Sequence, residues 1–398
     1  MNSDMKIIRT AVAAALLALA ALGAAPVRGQ YNGRIRTGAE RTDRYLPLIE
    51  GRRVGIVTNQ TGRIGGRHLV DSLHALGIDI AAVFAPEHGF RGEADAGEQV
   101  ASGRDPATGV EVISIYGASR KPRREDIARC DVILFDIQDV GLRYYTYLST
   151  MHYVMESCAE AGVRLVVLDR PNPNGMYVDG PILDTARYRS FVGMHPIPVL
   201  HGMTLGELAR MINGEGWLAG GARCELTVIP CEGYRRSDRY RLPVKPSPNL
   251  PDMRAVYLYP SLCFFEATPV SVGRGTEFPF CVYGHPRLEG DFAFTPRSGA
   301  GAKNPPQEGR LCRGRDLRGG ASDEELIGRG IDLSYLVECY RRIGDAKFFT
   351  PVFEKLMGVD YVRPMIERGC GAAEIKERWA GDTERFKRQR KPYLLYED

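Results

Sequence analysis

A chain of 398 residues, 44% apolar and 26% charged, has the composition of a globular protein and, at about 150 residues per domain, the length of two. Its net charge of +4 is small and its aromatic residues do not interleave with a basic stripe, so nucleic acid is not an expected partner, while an anionic substrate is permitted. Nine scattered cysteines with no C-x-x-C pair speak against a zinc site; the odd count leaves at least one thiol unpaired, and Cys130 and Cys158, at the edges of apolar segments, read as small buried hydrophobes.

At the N-terminus Lys6 and Arg9 precede an uninterrupted apolar run from Ala11 to Leu22, then Gly23, Ala24 and Ala25. This is the pattern of a signal peptide, 1–29, cleaved between about Ala25 and Gln30. No lipobox cysteine follows, and no later segment approaches roughly 18 apolar residues in a row, so the expectation is an exported chain, periplasmic or secreted, without a membrane anchor.

From Arg53 to Asp169 short apolar runs alternate with helical stretches. Val54 to Thr58, Ile80 to Ala85, Val110 to Ile115, Val132 to Asp136 and Leu165 to Asp169 read as strands apolar on both faces, with helical periodicity over His68 to Leu76, Arg123 to Ala128 and Tyr145 to Ala161. The pattern predicts a doubly wound, Rossmann-like parallel sheet over 40–185. Each strand runs into a polar loop: Asn59-Gln60-Thr61-Gly62, Pro86 to Gly92, Tyr116-Gly117, Gln138 to Gly141, and Arg170-Pro171-Asn172-Pro173-Asn174. Ligands of such sheets bind outside the carboxyl ends of the strands, which makes this rim the expected floor of an active site. No G-x-G-x-x-G follows the first strand and no P-loop occurs anywhere, so no nucleotide cofactor is expected.

Beyond Pro181 the rhythm changes, and 186–398 reads as a second region. Thr204 and Glu207 are spaced as a capping box for a helix from Leu205 to Ile212. Pro246 to Pro251 reads as a rigid cleft wall, Ser271 to Thr276 as a tight basic turn around Arg274, and Arg297 to Gly320 as a long Gly-, Pro- and Arg-rich loop. Helices return after Ser322.

Glu87 follows a strand directly, between Pro86 and the turn at His88-Gly89. Partial burial beside Phe84 and Phe90 would suit it to general acid catalysis; pairing with Arg91 would make it structural instead. Asp136, Asp139, Asp169 and Glu266 are candidates for a second carboxylate, with Asp136 and Asp139 equally able to hold His88 or Arg143. Arg143, Arg170 and Arg274 are candidates to clamp an anionic group. His88, His201, Asp136, Asp139 and Glu207 also permit a metal, but without H-E-x-x-H or a histidine pair at helical spacing no metal is expected.

Taken together, N-Q-T-G at Asn59, P-E-H-G-F-R-G at Pro86, F-D-I-Q-D-V-G at Phe135, Y-T-Y at Tyr145, L-D-R-P-N-P at Leu168, H-G-M-T at His201, P-S-P-N at Pro246 and G-R-G-T at Gly273 resemble the NamZ-type exo-β-N-acetylmuramidases, in the same order and from about Tyr45 to the C-terminus. The resemblance implies a Rossmann-like N-terminal domain and, over 186–398, a smaller α/β ancillary domain that completes a cleft between them. It implies release of N-acetylmuramic acid from the non-reducing ends of peptidoglycan fragments, and it puts the family's proposed catalytic glutamate on Glu87. The expected assisting group is then Asp136, Asp139 or Glu266. The expected substrate contacts are Asn59, Gln60, His88, Arg91, Gln138, Arg143, Tyr145, Asp169, Arg170, Asn172, His201, Asn249 and Arg274. A metal-dependent cell-wall amidase or esterase and a non-catalytic muropeptide-binding protein are the rival expectations.

Overall fold

The computed structural model describes residues 35–92, 98, 101–117 and 119–398; the expected signal peptide lies outside them. Seven strands, β1 (Val54–Thr58), β2 (Ile80–Ala85), β3 (Gly103–Arg104), β4 (Glu111–Ser114), β5 (Val132–Asp136), β6 (Arg164–Leu168) and β7 (Leu226–Ile229), form one sheet in the order β3-β4-β2-β1-β5-β6-β7. Every pairing is parallel except that of the edge strand β3 with β4. The six parallel strands therefore run outward in both directions from β1 and β5, the arrangement that opens a crevice at the carboxyl ends of those two central strands.

Alternation along each strand sorts its side chains onto two faces. Val54 and Ile56 of β1 join Tyr45, Ile49, Leu69 and Leu73, from helices α1 (Thr42–Ile49) and α2 (Leu69–Ala75), in one core. Val57, Ile133 and Phe135 join a larger core with α3 (Tyr147–Ala161) and α4 (Leu205–Gly214). A Cβ on Gly55 would meet Ile133 Cδ1 at 2.5 Å and Cys130 Sγ at 2.8 Å, so the packing there requires both the glycine and the small thiol. All nine cysteines are free thiols, and all but Cys370 are buried.

The sheet does not end at residue 185. Its sixth parallel strand, β7, and the covering helix α4 lie beyond that boundary, and β7 escaped detection because it is a sheet edge, mostly half-buried, rather than an all-apolar run. Thr204 and Glu207 form the expected capping box, and Glu207 also takes a bidentate pair from Arg236 at 2.9 and 3.0 Å.

After α5 (Met253–Leu262), the strands β8 (Val282–His285), β9 (Phe292–Phe294) and β10 (Cys312–Asp316) make a small antiparallel sheet in the order β8-β10-β9, followed by short helices. Strand β10 falls inside the segment expected to be a long loop. Its inward positions are Cys312 and Gly314, and a Cβ on Gly314 would lie 2.0 Å from Tyr283 O, so the strand has to carry a glycine and looks like a turn in sequence.

Arg143 stitches the two parts together. It is 1% exposed and donates to the carbonyls of Pro181 and Ile197 (2.7 and 2.8 Å) and of Leu356 and Met357 (2.9 and 2.8 Å). Burial without a facing carboxylate pulls its pKa down to about 9. The expected anion clamp is thus a buried structural cation.

Candidate active site

A pocket opens where the carboxyl ends of β2 and β5 face the second part of the chain. The sheet side contributes Glu87, His88 and Tyr144 to Tyr147; Ser247, Asn249, Tyr259, Glu266, Arg274 and Phe280 come from the other side.

Glu87 is brought there by a turn of unusual backbone. Gly89 N bonds to Pro86 O at 2.9 Å, and His88 and Gly89 both take left-handed φ, +70° and +77°. For a histidine this conformation costs on the order of 1 kcal/mol, strain of the kind found at functional sites. Half-buried Glu87 accepts the Tyr116 hydroxyl at 2.9 Å on one oxygen and the Thr146 hydroxyl on the other. Thr146 occupies the N-cap of α3 but makes no side-chain cap bond, so its hydroxyl serves the carboxyl instead. Hydroxyls both donate and accept, which lets these two hold the carboxyl in either protonation state. Arg91, the alternative partner expected for Glu87, pairs with Asp71 at 3.2 Å and Asp105 at 2.9 Å.

Across the pocket, Arg274 binds Glu266 Oε1 through Nε at 2.8 Å and Nη2 at 2.5 Å. Asn249 lines the wall and gives its amide to Gly301 O at 2.6 Å, tying the wall to the 297–310 segment. The Tyr145 hydroxyl donates to Pro246 O at 2.9 Å, and its ring packs edge-on against Tyr147 and Tyr259. Of the residues picked from the sequence, Glu87, His88, Tyr145, Asn249, Glu266 and Arg274 come together here.

The others support the rim from behind. Asp136 is fully buried in a bidentate pair with Arg170 at 2.6 and 2.9 Å; burial opposes the charge on Arg170, and Asp136 outweighs it and raises the arginine pKa. Neither residue reaches the pocket. Asn59 folds back on Thr61 at 2.9 Å, and Gln60 donates to the carbonyls of Lys245 and Pro246 at 3.2 and 3.3 Å, bracing the wall. Gln138 donates to Asp139 O and Pro171 O, both at 2.8 Å, and Asn172 to Met203 O at 2.9 Å. Asp169 accepts the hydroxyls of Thr204 and Tyr396 at 2.7 and 2.5 Å, and burial pushes its pKa up to about 6. His201 is fully buried, accepts Met203 N at 3.2 Å and is held neutral by burial, with its pKa lowered to about 3. Sequence reasoning assigned no role to Tyr116, Thr146, Tyr259 or Phe280. Tyr116 does stand in a strand-end loop and Thr146 in the Y-T-Y motif at the start of a helix, and those positions are the signals that mark them.

Asp139 follows β5 and is buried, outside the residues that line the pocket. Gly141 N donates to Oδ2 at 2.6 Å; Oδ1 is buried without a hydrogen-bond partner among the described residues. Burial raises the carboxyl pKa from 3.8 to about 7. Between those two values the folded state holds a proton that the unfolded chain has lost, so this group's contribution to stability declines as pH rises through the window, by on the order of 4 kcal/mol in all. Asp139→Asn has no charge to bury. Its unfolding free energy relative to the parent should therefore climb between pH 4.5 and pH 8 in denaturant titrations, and a pH-independent difference would contradict the assignment.

The family model for the N-terminal domain of exo-β-N-acetylmuramidase NamZ matches residues 54–254, and that for the C-terminal domain matches residues 257–396. The chain belongs to the NamZ family. The junction between the two family domains thus falls at α5, past β7. The peptidoglycan β-N-acetylmuramidase NamZ of Bacillus subtilis (strain 168) is 37% identical over 380 residues, which cover 88% of this chain and 89% of that protein. Two solved structures of DUF1343 family proteins from Bacteroides fragilis NCTC 9343 are similar over 92% of this chain and 99% of each of theirs, at 52% identity with TM-score 0.85 and 28% identity with TM-score 0.76.

Proposed function

We propose that this NamZ-family protein is an exo-acting glycoside hydrolase that releases N-acetylmuramic acid from the non-reducing ends of peptidoglycan fragments, with Glu87 as the general acid. The reading is carried by one observation: at the strand end expected to bear the acid, a carboxyl faces an aromatic-walled pocket and is oriented by two hydroxyls. Cleavage of a glycosidic bond requires a proton on the leaving oxygen as the ring carbon takes on positive charge. Glu87 delivers that proton, while Tyr116 and Thr146 fix the direction from which it comes. The strained turn at His88 keeps the carboxyl clear of the sheet and near the substrate.

The sequence of residues 1–29 supports export, so that the enzyme meets cell-wall fragments in the periplasm or outside the cell. Among the described residues no three metal-ligating side chains cluster, and no helix is long and apolar enough to cross a membrane. The test is product analysis on a defined disaccharide with N-acetylmuramic acid at its non-reducing end. Free N-acetylmuramic acid should accumulate at a rate unaffected by a chelator. Loss of rate restored by added metal would favour an amidase- or esterase-like site, and binding without turnover would favour a recognition protein.

A further inference from the structure

We propose that Arg274 is the group that recognises the lactyl carboxylate of N-acetylmuramic acid, and that Glu266 is a positioning residue that holds the guanidinium for it. This rests on the muramidase reading of the pocket. N-acetylmuramic acid differs from N-acetylglucosamine by one lactyl ether carrying a single carboxylate, so telling the two apart calls for a fixed cation beside the ring. Among the described residues that line the pocket, Arg274 is the one lysine or arginine. The other arginines marked out by the sequence are committed elsewhere: Arg143 to four carbonyls, Arg170 to Asp136 and Arg91 to Asp71 and Asp105.

The chain takes care to place this side chain. Gly273 and Gly275 on either side have left-handed φ, +81° and +76°. A Cβ on Gly275 would lie 2.4 Å from Arg297 O, and one on Gly273 would lie 2.6 Å from Val282 Cγ2, so neither flank accepts another residue without a shift. Thr276 N closes the turn onto Gly273 O at 3.1 Å. The guanidinium carbon stands 5.0 Å from the centre of the Phe280 ring, and the side chain is 16% exposed. A side chain pinned in this way has already lost most of the rotamer freedom that ligand binding would otherwise remove.

Glu266 uses a single oxygen, Oε1, to occupy the Nε and Nη2 side of the guanidinium. A guanidinium has five N–H donors, and Nη1 has no protein partner among the described residues, so a second carboxylate can dock there while Glu266 stays in place. Burial works against the charge on Arg274, and Glu266 outweighs it and keeps the cation fixed.

The test is calorimetric binding of N-acetylmuramic acid and of its neutral lactyl amide. Two charge-assisted hydrogen bonds should make the parent protein prefer the acid by about 30- to 100-fold. Arg274→Gln should bind acid and amide within about threefold of each other, with a thermal unfolding midpoint close to the parent's showing that it is folded. Arg274→Lys, with its charge kept but its fork lost, should retain part of the preference. Glu266→Gln should raise KM for a chromogenic muramic acid glycoside by about 3- to 10-fold, with kcat much less affected. A kcat collapse of about 10³-fold in Glu266→Gln would make it a catalytic carboxylate and overturn its positioning role. An undiminished preference for the acid in Arg274→Gln, or none in the parent, would overturn the assignment of Arg274. Because binding is read without turnover, a failure of the Glu87 mechanism would leave the acid-to-amide contrast intact.

Discussion

Glu87→Gln should lower kcat/KM for a disaccharide bearing non-reducing N-acetylmuramic acid by about 10³-fold, within the range typical of a lost general acid. The expectation follows from what the substitution keeps. The amide oxygen still accepts the Tyr116 hydroxyl, and the amide nitrogen faces the Thr146 hydroxyl, which has lone pairs to receive it. The β2 turn and the N-terminus of α3 keep their contacts, and only the transferable proton is gone. Thermal unfolding should consequently shift by no more than a degree or two, and product binding should persist. Equal turnover by parent and variant would remove Glu87 from its role.

Asp136→Asn should have the opposite signature, a large loss of stability with little change in activity per folded molecule. Asp136 and Arg170 are 0% and 6% exposed, at the ends of adjacent strands β5 and β6, and share two hydrogen bonds. Removing one member of such a pair leaves the other charge buried and uncompensated, at a cost of about 3–5 kcal/mol. Replacing both by apolar residues of similar size should recover most of that loss, because the pair's attraction does little more than offset its own desolvation. A denaturant series on the two single variants and the double variant measures the coupling directly. If Asp136→Asn were as stable as the parent yet catalytically dead, Asp136 would be a reacting group after all.

The central sheet was readable because β1, β2, β5 and β6 are largely buried, and burial on both faces leaves a continuous apolar run. Strands β7 and β10 were not. β7 is a half-buried edge, and β10 has so little room beside Tyr283 that a glycine replaces the branched residues that usually mark a strand. The rim of polar loops was legible as a place, but not which of its side chains point outward. Asp136 and Glu87 both end strands, yet one turns inward to Arg170 and the other outward to the pocket. That direction is set by the turn after each strand and by partners far along the chain. Arg143 shows the same limit: its four carbonyl partners include two more than 200 residues away, and nothing near it in sequence separates it from Arg274. The family resemblance narrowed these choices for Glu87 alone, because a motif carries a residue's role without its surroundings.

The role of Glu87 is tested most directly by varying the leaving group. A general acid matters when the departing oxygen needs a proton and hardly at all when it does not. The loss of kcat/KM in Glu87→Gln should therefore shrink from about 10³-fold on the disaccharide to less than about tenfold on a dinitrophenyl muramic acid glycoside. An equally deep loss on both substrates would contradict proton donation by Glu87.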